Sequence, residues 1–405
     1  MRFSQAFRPS IRWKEFSPAL IIVFNTIVWY TLTYGVFRST VKSLGLSSTD
    51  NLALFATYYV GAACSAIVGS MFFARKRRTF LLSWMLAGVV MTALLATFTM
   101  NGTSLNILIS FFLGISVGIG LPSCLAYFAD LTIVGNRGIH GGITWSAIGG
   151  GTLVLALLVS PFEATSVFVA LSIWRAIGLV AFYLLGKNGK TKEPQESPAY
   201  RSILRRKDMA LYLIPWIMFC FINFTETPVL ENLFGNFYFF VGLIEFALIG
   251  IFAVVGGFLA DLVGRKRVVI TGFVTLGIGY AVLSLSPTTM ISWYLYTGFD
   301  GFAWGMFASV FFMSLWGDLA EDRMKEKYYA LGGLPYLLAG FLPVIIEPYA
   351  ETIAPITAFS LASFFLFVAV LPLMYAPETL PEKRIREIEL KDYIEKAKKV
   401  KDKYV

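Results

Sequence analysis

The stretch Gly256–Ile270, GGFLADLVGRKRVVI, places one acid, one glycine and three consecutive bases between two long apolar runs. A soluble domain carries about a quarter charged residues. This chain of 405 residues is 57% hydrophobic and 15% charged, which points to a protein that spans a membrane rather than one with a large soluble core. The net charge of +9 would suit a nucleic-acid ligand only if the bases shared one soluble surface. They sit instead in short loops between apolar segments, so nucleic acid is excluded as a partner.

A membrane crossing needs about twenty mostly apolar residues. Twelve such runs can be marked, at roughly 18–37, 52–73, 79–99, 105–128, 140–160, 164–186, 209–228, 236–259, 268–286, 292–317, 328–347 and 355–376. The expected fold is an all-α integral membrane protein of twelve transmembrane helices. Short alternating segments, the mark of a barrel, are missing. The basic N-terminal segment MRFSQAFRPSIRWKEF leads into an apolar run without a small-residue cleavage site, so a retained first span is expected. Cys64, Cys124 and Cys220 each lie within an apolar run without metal spacing, and are read as buried free thiols. One histidine, His140, leaves no room for a His-rich metal site, and no cofactor is implied.

If both termini are cytoplasmic, nearly all of the 34 Lys and Arg fall on that side, leaving only Arg38, Lys42 and Arg175. That is a strong positive-inside pattern, and one missed span would scramble it. The longest internal break, at 187–208, separates residues 1–186, an N-terminal six-helix half, from 209–376, a C-terminal six-helix half. Residues 377–405 form a charged, helix-prone cytoplasmic tail that can meet anionic lipid.

The two halves echo each other. Asp261, Gly264, Arg265 and Lys266 follow span 8 as Arg75–Arg78 follow span 2. Asp318 and Arg323 follow span 10 as Asp130 and Arg137 follow span 4. Tandem halves around one site are a construction of secondary transporters. The chain resembles the major facilitator superfamily, whose signature Gly-x-x-x-Asp-x-x-Gly-Arg-Lys/Arg is matched by Gly257, Asp261, Gly264, Arg265 and Lys266. In the first-half copy Phe73 stands where Asp261 does, so the acid is lost there. The resemblance implies a cytoplasmic gate in which Asp261 and Arg265 pair across the seam, with Asp130, Arg137, Asp318 and Arg323 as partners. Segments 194–201 and 377–384 are similar to stretches found in sugar porters, but span 7 lacks a sugar-site pattern, and no subfamily is assigned.

Glu226, Glu245 and Asp300 stand about 24–27 Å above the inner ends of their spans, at one depth in the outer half of the membrane. A carboxylate there is costly unless hydrated, paired or protonated. Glu245 and Asp300 are therefore candidates to carry a coupling proton or to bind a cationic substrate group. Pro228 is expected to end span 7 near Glu226, bringing that acid close to the outer surface. Arg175 lies mid-span and needs a carboxylate, a backbone carbonyl or an anionic substrate. Asn25, Trp29 and Thr33 on span 1, Trp216, Cys220, Asn223 and Thr227 on span 7, and Trp293, Tyr296, Asp300, Trp304, Phe307 and Phe311 on span 10 are candidate cavity walls. Gly114, Gly118, Gly120 and Pro122 suggest a closely packed, bent span 4.

The expected function is secondary active transport of a small organic solute by alternating access, coupled to protons. The protein is expected to be a multi-pass protein of the cell membrane and a monomer. A transport-inactive sensor on the same fold is the alternative. A multispan enzyme is disfavoured, because the chain has no catalytic triad, phosphate loop or metal spacing.

Overall fold

The computed structural model describes residues 13–72, 76–97, 102–186, 197–321 and 323–380, together with Leu390 and Tyr393. The expected tail helix and most of the central loop lie outside the described residues. Among the described residues there is no strand. In hydrocarbon each backbone N–H and C=O must be paired within its own segment, so long apolar runs close into helices.

The first six crossings are α1 (Trp13–Ser43), α2 (Ser48–Phe72), α3 (Arg77–Leu95), α4 (Thr103–Leu131), α5 (Arg137–Val159) and α6 (Ala164–Leu185). The next six are α7 (Lys207–Phe234), α8 (Tyr238–Val263), α9 (Arg265–Leu285), α10 (Met290–Ala320), α11 (Lys325–Thr352) and α12 (Pro355–Tyr375). Helical residues run almost without pause through the 57 residues Lys207–Val263, far longer than one crossing requires. Gly235, at φ +53°, opens a single 3₁₀ turn there and makes two crossings of one. The expected twelve spans therefore stand.

Two expectations are corrected. Pro228 does not end α7, which runs on to Phe234 with both Pro215 and Pro228 inside it. A membrane helix tolerates proline where neighbours re-satisfy the freed carbonyls. Of the three cysteines, Cys124 and Cys220 are buried but Cys64 is exposed on α2. An apolar run does not say whether a residue faces protein or lipid.

α4 breaks as expected: one helical segment ends at Gly118, and a second begins at Leu121 with Pro122 in its first turn. Cβ atoms on Gly114 or Gly118 would overlap the α2 backbone, so this pair packs main chain to main chain. α10 is interrupted by a π-helical turn at Ala308–Ser314, where the Ser314 hydroxyl donates to the Ser309 carbonyl at 2.8 Å. The two sets of six meet chiefly where α5 packs on α8 and where α2 and α4 pack on α11. On the α5–α8 seam a Cβ at Gly257 would overlap the Gly138 carbonyl, so this signature glycine sets the distance between the halves.

Candidate functional site

Between the two sets of helices lies a cavity of about 170 Å³. Its walls come from α1, α2, α4 and α5 on one side and from α8, α10 and α11 on the other. Trp145, Phe312, Tyr336 and Trp304 pack edge to face around it. Ring centroids are 5.3 Å apart for Trp145–Phe312, 5.2 Å for Phe312–Tyr336 and 6.3 Å for Trp304–Tyr336. Glu245 is the one carboxylate on the wall, and no Lys, Arg or His lines it among the described residues.

Glu245 on α8 and Asp300 on α10 are neighbouring acids, each within electrostatic reach of the other. Glycines bring them together: on α10, Gly301 faces Leu248 and Gly305 faces Phe252, so α10 can press against α8. Asp300 is buried behind Glu245, and its Oδ1 has no hydrogen-bond partner. Glu226 is buried on α7, not at a surface, with Oε2 unpartnered. It lies within electrostatic reach of Tyr280, as does Asp300.

Arg175, Asn25 and Trp29 form a separate cluster between α1, α3 and α6 and do not line the cavity. Arg175 Nη1 donates to Asn25 Oδ1 at 3.0 Å and to Thr26 Oγ1 at 2.7 Å. The guanidinium centre lies 4.5 Å from the Trp29 ring centroid and 4.7 Å from that of Trp84. Trp29 is itself held by a 2.7 Å bond from its indole N–H to Thr92. In place of the carboxylate, backbone carbonyl or anionic substrate expected for Arg175 stand an amide, a hydroxyl and two π faces. Nor does the candidate face of α7 reach the cavity. Trp216 stacks on Phe311 at 4.5 Å and donates to the Gly332 carbonyl at 2.7 Å, and so pins α7 to α11.

At the base-rich face the signature residues form a buried network. Asp261 accepts from Arg265 Nη1 at 2.6 Å. It also accepts the backbone N–H groups of Gly138 and Ile139 at 2.9 and 2.7 Å, which open α5 in the other half. The positive end of a helix dipole thus meets the carboxylate across the seam. Arg265 also reaches Asp318 through Nε at 3.1 Å, and Arg137 pairs with the other Asp318 oxygen. Asp130 belongs to a second cluster, with Arg77 at 2.5 Å and with Lys325, and Arg77 Nε reaches Glu326 at 2.8 Å. The clusters are related by the repeat. Asp130, Arg77 and Lys325 occupy the places of Asp318, Arg265 and Arg137.

Gly264, at φ +103°, turns the chain into α9, and Glu378 then receives the N–H groups of Arg265 and Lys266 at 2.8 and 3.1 Å. Lys266 Nζ donates to the Met374 carbonyl at 2.7 Å, tying α9 to the end of α12 rather than to the other half. Arg323 sits in the turn after α10, its backbone N–H bonded to the Ala320 carbonyl at 2.9 Å.

Sequence reasoning missed a latch at the opposite face. Arg38 forks onto Glu231 at 2.7 and 3.1 Å, and Lys42 reaches Glu347 at 2.6 Å. These pairs join α1 of one half to α7 and α11 of the other. Half of the signal was present: Arg38 and Lys42 were two of the three bases left over from the charge count.

Two sets of six helices around a cavity, joined by ion pairs at both ends, define a multi-pass membrane transporter of two-half construction. The Major Facilitator Superfamily profile matches residues 18–299, and the chain belongs to that superfamily. The human organic anion transporter MFSD10 (TETRAN) is similar in structure, with a TM-score of 0.67 at 15% identity, over 90% of this chain and 100% of that one. The proton:xylose symporter XylE, bound to 6-bromo-6-deoxy-D-glucose, is similar with a TM-score of 0.70 at 16% identity, over 90% of this chain and 96% of that one. At these identities the likeness is one of fold. No curated protein sequence matches the chain.

Proposed function

We propose that the protein is a proton-coupled secondary transporter of a small organic solute in the cell membrane. Residues 1–186 and 209–376 act as two rocking bodies joined by 187–208, with both termini and the base-rich face on the cytoplasmic side. The observation that carries the reading is Glu245 on the cavity wall with Asp300 beside it. Two neighbouring carboxyl groups away from water favour sharing one proton over carrying two charges, and Glu245 presents that proton to whatever enters. The gate clusters supply alternate closure: pairs at one face must part for the cavity to open there, while pairs at the other hold.

The test begins with the purified full chain in detergent, screened for thermal stabilisation by sugars, amino acids, carboxylates and amines at mildly acidic and mildly basic pH. A ligand that binds only the folded state raises the melting temperature in a concentration-dependent way. The stabilising solute is then followed into protein-containing vesicles under an imposed pH gradient. Flux should follow the gradient and be lost in Asp300→Asn and Glu245→Gln. Flux that ignores the gradient, or survives both substitutions, would overturn proton coupling at this pair.

A further inference from the structure

Among the described residues, the titratable groups within electrostatic reach of Glu245 are all acids. They are Asp300 on α10 and the hydroxyls of Tyr238, Tyr280, Tyr296 and Tyr336, from α8, α9, α10 and α11. Arg38 and Lys42, toward the outer end, are already taken by Glu231 and Glu347. Arg175 is held in its own tryptophan sandwich. A carboxyl pair with no base beside it among the described residues can be neutralised in two ways, by a proton or by a cation from outside.

The rest of the wall selects which cation. Trp145, Trp304, Phe312 and Tyr336 present ring faces and edges around the space that Glu245 borders. Aromatic faces attract ammonium groups and pack against apolar bodies, and they give little to a strongly hydrated solute. A closed cavity of about 150 Å³ accommodates benzene. The 170 Å³ found here suits one ring with a short chain.

We propose that the cavity takes a small aralkyl ammonium ion, its ring among Trp304, Phe312 and Tyr336 and its ammonium on Glu245. The ion displaces the proton shared with Asp300. Glu245 then carries a proton or the cation, never both, and the displaced proton leaves to water on the side then open. The inference rests on the transporter reading above and adds the substrate class and exchange of cation for proton.

The test is a charge series on one ring, namely 2-phenylethylammonium, 2-phenylethanol and 3-phenylpropanoate, titrated calorimetrically into the full-length protein in detergent. The ammonium ion should bind at least about tenfold more tightly than the other two. Its binding should release protons in weak buffer and weaken at mildly acidic pH. Glu245→Gln should erase the preference for the cation. Tyr336→Leu, which leaves the carboxyls in place, should weaken the ammonium ion while keeping its lead over the alcohol. Equal or tighter binding of the alcohol or the anion overturns the proposal. So does unchanged cation affinity in a folded Glu245→Gln protein, or no binding of any of the three to folded wild type. If a solute of another class binds and moves with the proton gradient, the transporter reading stands and the cation reading falls. If the ammonium ion binds as described but no imposed gradient drives its flux, the transporter reading falls and the site remains.

Discussion

Asp261 serves two partners at once, a guanidinium in its own half and a helix N-terminus in the other. It is fully buried, as is Arg265. Removing one member of such a pair strands the other charge and costs about 3–5 kcal/mol. Asp261→Ala should therefore lower the melting temperature and loosen the base-rich gate. A cysteine placed at Ala129, in a background with the native cysteines replaced by serine, should then react faster with a water-soluble maleimide. Unchanged reactivity would remove Asp261 from the gate. Gly264 makes a second residue-scale prediction. At φ +103° a side chain is strained, and a Cβ there would overlap the Glu378 carboxylate that caps α9. Gly264→Ala should cost about 1–3 kcal/mol in thermal unfolding, while Gly333→Ala, with nothing within 4 Å of its Cβ position, should be nearly neutral. The acids Glu245 and Asp300 were legible from sequence because a carboxyl group deep in a crossing has few structural uses. Of the cavity's aromatic walls Trp304 was marked, whereas Trp145, Phe312 and Tyr336 were not. In a chain that is 16% aromatic, a ring on a helix faces lipid as readily as a cavity.

Helix α10 shows where regular spacing misleads. The stripe from Trp293 to Phe311 assumes one α-helical register, and it holds through Asp300 and Trp304. The π turn at Ala308–Ser314 then adds residues per turn, so Phe312 reaches the cavity while Phe311 turns to stack on Trp216. One residue corresponds to about 100° of helix rotation. An α-helix one residue shorter keeps the facing of the residues on both sides of such a turn, so removing Val310 should leave Asp318 on Arg137 and Arg265. The expected result is a cysteine at Ala129 that stays protected in the same assay. Faster labelling would mean that the turn does more than absorb one extra residue. Helix ends, in contrast, were legible to within a few residues almost throughout, because lipid demands a near-fixed length of apolar chain. Span 7 departed from its reading: proline chemistry placed its end at Pro228, whereas the bundle carries the helix on to Phe234.

Across the whole molecule the ion-pair clusters at the two ends differ in exposure. The base-rich clusters include pairs at 0–3% exposure, whereas the opposite latch has side chains at 18–43%. Exposed pairs are worth about 1 kcal/mol or less and weaken with salt. Raising ionic strength should therefore open the end bearing Arg38 and Glu231 first. Spin labels at Ser39 and Asn232 would report a growing distance, while a pair across the base-rich seam would not move. The reverse order would contradict the ranking. Exchanging Arg38 and Glu231 by a double charge swap should restore the short distance that either single reversal lengthens. This latch escaped the charge layout because topology is read from bases, and Glu231 and Glu347 are acids.

The repeat is not perfect, and its flaw ties the halves together unequally. Arg265 finds both its acids, Asp261 and Asp318, within its own half. Arg77 stands at the equivalent place, but its acids are Asp130 from its own half and Glu326 from the other. Were the chain cut in the central loop and its fragments made separately, the C-terminal fragment would keep Arg265 with both its acids. The N-terminal fragment would leave Arg77 with Asp130 alone and Arg137 without Asp318. Assembly from two pieces would then have a direction, with the buried guanidinium groups of one fragment completed only on docking to the other.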